Sequence, residues 1–124
     1  MTSLKGSFKS PGFPNNYTDG QLCSWKISAP SNHTIQVIFT NFAFETLKSN
    51  DSLEYYIKHN ESYNLADRFH GDKMPPVVIA SSDIMFVMRT DMEFTGRGFY
   101  AEYKISPSEG RCVDSEIMDR WQNE

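Results

Sequence analysis

The feature that most constrains this chain is an apolar–polar alternation with a period of two. Cys23-Ser24-Trp25-Lys26-Ile27-Ser28-Ala29 alternates in this way, as a strand buried on one face should. Similar runs follow at Thr34–Thr40, Ser52–Lys58, Val77–Ala80, Ile84–Arg89 and Gly98–Ile105. Turn residues such as Pro30-Ser31-Asn32 punctuate them at short intervals. No strand–helix–strand alternation, internal repeat or low-complexity tract is present. The pattern predicts an all-β, antiparallel two-sheet β-sandwich. A length of 124 residues fits one domain able to bury a core without a metal or disulfide. Hydrophobic residues at 39% and aromatics at 14% are ample for a packed interior and argue against a disordered chain.

Charge narrows the partners. A net charge of −4 argues against nucleic acid or anionic lipid as the main partner, and the 12 Lys and Arg form no basic run. No apolar stretch approaches the roughly 18 residues a membrane span needs, so direct membrane insertion is not expected. Met1-Thr2-Ser3-Leu4-Lys5 leads straight into polar sequence with no leader, which fits a mature fragment, an excised segment or a cytosolic protein. Four Asn-x-Ser/Thr sequons, at Asn16, Asn32, Asn50 and Asn60, favour a secreted origin. The two cysteines, Cys23 and Cys112, fit one disulfide or two half-pairs with outside partners, and neither lies in a CxxC.

After Ile105 the character changes: Ser106-Pro107-Ser108-Glu109-Gly110 reads as a linker. Asp114–Gln122 is polar, with Ile117, Met118 and Trp121 on one possible helical face. The folded domain is placed at residues 4–106, and residues 107–124 at a tail or the opening of a neighbouring module.

The opening stretch carries a resemblance. Gly6-Ser7-Phe8-Lys9-Ser10-Pro11-Gly12-Phe13-Pro14, then Tyr17, then Cys23-Ser24-Trp25-Lys26-Ile27, resembles the start of a CUB domain. Ile35–Phe39 with Phe42 and Phe44-Glu45, Asp51-Ser52-Leu53-Glu54, Phe69-His70-Gly71 with Pro75-Pro76, Arg89-Thr90-Asp91 and Gly98–Tyr103 continue the likeness in order. The resemblance implies a jelly-roll-like β-sandwich in a secreted or membrane-anchored multidomain protein, binding other proteins and neighbouring domains, with no catalysis of its own. The family commonly carries two local disulfides. Here only its second cysteine remains, at Cys23; the third would fall near Ser49 or Asn50, and the fourth at His70. The first would lie upstream of Met1, so Cys23 is left to pair with Cys112 or with a residue outside the chain.

The calcium-binding members of the family imply a site. At the matching positions Glu45, Asp51 and Asp91 would ligate a calcium ion, with a carbonyl near Met92 or Glu93 and water completing the shell. Such carboxylates repel one another unless a cation is present, and calcium accepts six to eight oxygens in flexible geometry. Tyr17 would orient a carboxylate, and Phe13 would pack the opening turn onto the sheet. One or two carboxylates would accept a Lys or Arg from a partner protein, flanked by Tyr17 and Phe94. The alternatives are a spacer without metal, or a carbohydrate-binding module, which would need a basic strip. An enzyme has no support: His33, His59 and His70 adjoin no catalytic motif, and zinc ligation by His70 is not expected. Glu54 and Glu102 have polar-face spacing and are expected to be solvated.

Overall fold

The computed structural model describes residues 4–17, 20, 22–44, 51–90 and 96–108. They form eight strands: β1 (Lys5–Lys9), β2 (Leu22–Ile27), β3 (His33–Ala43), β4 (Ser52–His59), β5 (Ser62–Phe69), β6 (Val78–Ala80), β7 (Ile84–Arg89) and β8 (Gly98–Pro107). Two antiparallel four-stranded sheets, β1-β8-β3-β6 and β2-β7-β4-β5, make the expected all-β sandwich. Ile35, Val37 and Phe39 alternate inward from one sheet, and Ile84, Phe86 and Met88 from the other. Phe39 joins the layers, with ring centroids 5.9 Å from both Phe86 and Phe99. Edge-to-face packing of this kind adds to the area term of burial.

Four differences from the sequence expectation have a physical cause in the packing. β2 stops at Ile27, two residues early, because the Asp83 carboxylate accepts from the Ala29 amide at 3.3 Å and from the Ser28 hydroxyl at 3.4 Å. β8 runs on through Pro107, opposite His33, into the stretch read as linker. β1 adds a fifth-to-ninth-residue strand, in which Gly6 faces Tyr103. A Cβ at Gly6 would stand 2.8 Å from that ring, so glycine is what lets the ring lie across the strand. β5 is the edge partner of β4, with Ala66 looped out as a bulge between Asp67 and Leu65. Its residues are nearly all exposed, so no burial period announces it.

The register defines two poles. Ser10, Phe44, Asp51 and Gly98 lie at one, where β3 ends and β4 and β8 begin. Pro30, Asn32, the Asn60-Glu61 turn and Asp83 lie at the other.

Candidate functional site at the Tyr17–Asp51 pole

The opening turn is fastened to the first pole by backbone bonds. The Ser10 amide donates to the Phe99 carbonyl at 3.0 Å, and the Phe99 amide returns a bond to the Ser10 hydroxyl at 3.0 Å. This exchange needs a close approach, which Gly98 permits with φ +87. A Cβ there would lie 1.9 Å from the Ser10 Oγ. Phe13 then reaches the outer surface, its ring 5.9 Å from that of Tyr100, across a cis Phe13-Pro14 bond.

From this anchor the chain delivers Tyr17 inward. Its amide donates to the Gly96 carbonyl at 3.0 Å, and its ring lies 5.5 Å from Phe44, leaving Tyr17 only 2% exposed. The phenol donates to the Asp51 Oδ2 at 2.5 Å. Asp51 is 1% exposed and immediately precedes β4. The hydroxyl of the next residue, Ser52, is buried and has no hydrogen-bond partner among the described residues. A carboxylate buried this deeply holds its charge only where polar groups or cations replace water.

The structure thus brings together Tyr17 and Asp51, two of the residues singled out from the sequence. Glu45, Asp91, Met92, Glu93 and Phe94 lie outside the described residues, as do Asn50 and Cys112. Among the described residues, no group of three His, Cys, Asp or Glu side chains clusters as a metal site. Cys23 is half-buried against the core, and His70 is exposed.

Glu54 corrects an expectation. It is not solvated but buried, at 8% exposure. On the outer face of β2-β7-β4-β5 its Oε1 accepts from the Tyr56 hydroxyl at 2.8 Å and from Arg89 Nε at 3.1 Å. Arg68, its cross-strand neighbour, stands 3.7 Å from Oε2. Burial alone would push the Glu54 carboxyl up. The Tyr56 and Arg89 hydrogen bonds and the charges of Arg89 and Arg68 outweigh it, and hold the group below its ordinary 4.5. Glu102, by contrast, is exposed.

The same face collects cations that looked scattered along the chain. Lys26, Lys58, Arg68 and Arg89 come from four different strands, and the register sets all four on the outer side with Glu54. The Lys26 ammonium lies 5.6 Å from the centre of the Tyr63 ring. Linear charge runs could not reveal this patch, because its members are separated by whole hairpins.

Comparison with known proteins places this sandwich. The family profile described as CUB domain matches residues 1–103, and the chain belongs to that family. The human membrane frizzled-related protein is 32% identical over 122 residues, covering 94% of this chain and 21% of its own length. The chain therefore spans about a fifth of the length of that relative. Among solved structures, the full extracellular region of zebrafish Gpr126/Adgrg6 matches with a TM-score of 0.74 at 26% identity, over 86% of this chain and 14% of that one. The MASP-1 CUB2 domain, solved bound to Ca2+, shares the fold with a TM-score of 0.71 at 24% identity, over 84% of this chain and 95% of that one.

Proposed function

We propose that this chain is a non-catalytic, extracellular protein-interaction module whose Tyr17–Asp51 pole binds calcium and uses it to engage a Lys or Arg of a partner protein. The observation that carries the reading is the buried Asp51 carboxylate, oriented by the Tyr17 phenol at 2.5 Å, at the pole where the resemblance to calcium-binding CUB domains implies a cation. The local donors suit the ion: carboxylate, phenol and an orphaned serine hydroxyl are hard oxygen groups, which calcium prefers. Asp51 would be the described ligand, joined by Glu45 and Asp91 from the adjoining connections. Calcium would neutralise these acids and fix their loops. Tyr17 would keep the Asp51 carboxylate in one orientation, and the Ser10–Phe99 exchange would hold Tyr17 in place. The Ca2+ of the MASP-1 CUB2 domain and the extracellular setting of the zebrafish relative support this reading by kinship.

Thermal melting against calcium tests it. A module site with Kd about 10⁻³ M should gain about 1.4 kcal/mol at about 10 mM calcium. Asp51→Asn should erase that gain, and a wild-type melt indifferent to calcium would reduce the domain to a spacer.

A second reading, an anionic-carbohydrate surface, is favoured by the four cations gathered around Glu54 on the outer face of the β2-β7-β4-β5 sheet. Retention on heparin that falls steeply with salt, and drops when Arg68 and Lys26 become alanine, would support it.

A further inference from the structure

The four sequons divide by pole, and the division follows the Tyr17–Asp51 bond. In Asn16-Tyr17-Thr18 and Asn50-Asp51-Ser52 the middle residues are the two members of that buried pair. Ser52, which supplies the hydroxyl of the second tripeptide, is also 1% exposed. The other two sequons stand at the far pole. Asn32 is exposed with φ 61, directly before β3, and its Thr34 hydroxyl lies 2.7 Å from the exposed Ser108 Oγ. Asn60 is exposed with φ 50, at the tip of the two-residue β4–β5 turn, followed by exposed Ser62. A shallow depression lined by Ser31, Asn60 and Glu61 runs from Asn60 to the residue before Asn32.

We infer that Asn32 and Asn60 carry N-linked glycans, and that Asn16 and Asn50 do not. The inference rests on the extracellular part of the reading above and is independent of calcium. In the transfer, the side-chain amide nitrogen bonds to the anomeric carbon of a lipid-pyrophosphate-linked oligosaccharide. The carbon–oxygen bond to the pyrophosphate breaks, the pyrophosphate leaves with the electron pair, and the amide gives up one proton to the transferase base. The transferase must hold the Asn and the Ser or Thr of one tripeptide together in its site. At Asn32 and Asn60 the folded chain still offers both on exposed loop tips, where bulky additions are tolerated. At the other pole Asn16 is itself exposed, but folding withdraws its neighbour Tyr17, whose amide bonds the Gly96 carbonyl, and withdraws Asp51 and Ser52; threading either tripeptide into the transferase would require breaking the Tyr17–Asp51 bond. Glycans at the far pole keep that end out of protein contacts and leave the Tyr17–Asp51 pole as the open one.

The test is secretion of the full chain from mammalian cells behind a leader, followed by enzymatic deglycosylation in ¹⁸O-water and peptide mapping. The expected result is label at residues 32 and 60 in most molecules, with residues 16 and 50 unlabelled. Asn60→Gln and Ser62→Ala should each remove one glycan, as should Asn32→Gln and Thr34→Ala, so each site is checked by two independent variants. Predominant label at residue 16 or 50, or a bare residue 32 or 60 in secreted protein, overturns the inference whether or not calcium binds.

Discussion

Asp51 and Glu54 stand three positions apart at the head of β4. Both are buried carboxylates, and each takes a tyrosine hydroxyl. Their surroundings differ in kind. Glu54 lies within the ladder, where β5 and β7 supply Arg68 and Arg89 as fixed cross-strand neighbours. Its charge is answered by the chain itself, so its role is architectural: it ties three strands of one sheet together. Asp51 precedes the ladder and accepts from the phenol of Tyr17, which orients the carboxylate without itself carrying a charge. A buried acid clamped between strands by cross-strand arginines is part of the scaffold; one oriented by a phenol at a loop-bearing pole is placed where a ligand from solution could reach it.

The comparison breaks most readily at its anchor. Gly98→Ala would force a non-glycine residue into a left-handed conformation and drive its Cβ into Ser10 Oγ. The loss should reach about 3 kcal/mol, from strain and overpacking together, read as a fall in the denaturant midpoint. Because Ser10 holds the turn that delivers Tyr17, the calcium response should vanish in the same variant, even in the molecules that remain folded.

A smaller effect separates the two acids. Glu54→Gln should lower stability at neutral pH by about 1 kcal/mol, since the guanidiniums it meets are half-exposed, at 51% and 52%. It should leave the calcium-dependent gain intact, where Asp51→Asn removes it. The sign of the pH dependence follows from the lowered Glu54 pKa. The unfolded chain takes up this proton near 4.5 and the folded one only at lower pH, so the Glu54 contribution is present above 4.5 and is lost as pH falls below it. An acid titration of stability should therefore be shallower in Glu54→Gln than in wild type; parallel curves would show that folding does not lower the Glu54 pKa.

The sandwich was legible because its central strands are buried on one face, and burial writes a period of two into the chain. β3, β4, β7 and β8 all sit inside a sheet and were all read. β5 and β1 bury too few positions to repeat a period: β5 is exposed almost throughout, and of the five residues of β1 only Phe8 is buried. The Tyr17–Asp51 pair was legible only through family resemblance, since 34 positions separate the partners and no local pattern links them. Glu54 was misjudged for a related reason. Polar-face spacing says which side a residue points to, but not that Arg68 and Arg89 will close over it from neighbouring strands.

The smallest predicted effect lies at the far pole and serves as the control for the other two. Asn60 and Glu61 form the two-residue β4–β5 turn, with φ 50 and 68. Two consecutive positive φ values suit a turn that matches the twist of a hairpin, and its favoured sequence is Asn-Gly. Asn tolerates the left-handed region, but Glu61 pays in strain for its Cβ. Glu61→Gly relieves that strain and gives back part of the gain, because glycine has more conformational freedom to lose on folding. The net expectation is a stabilisation of about 0.5 kcal/mol, seen as a raised denaturant midpoint at unchanged slope. The substitution keeps the Asn60-x-Ser62 sequon and touches neither Asp51 nor Glu54, so the calcium gain and the acid limb should both match wild type. A change in either would mean that the two poles are coupled through β4, and the division of labour between the two carboxylates would have to be given up.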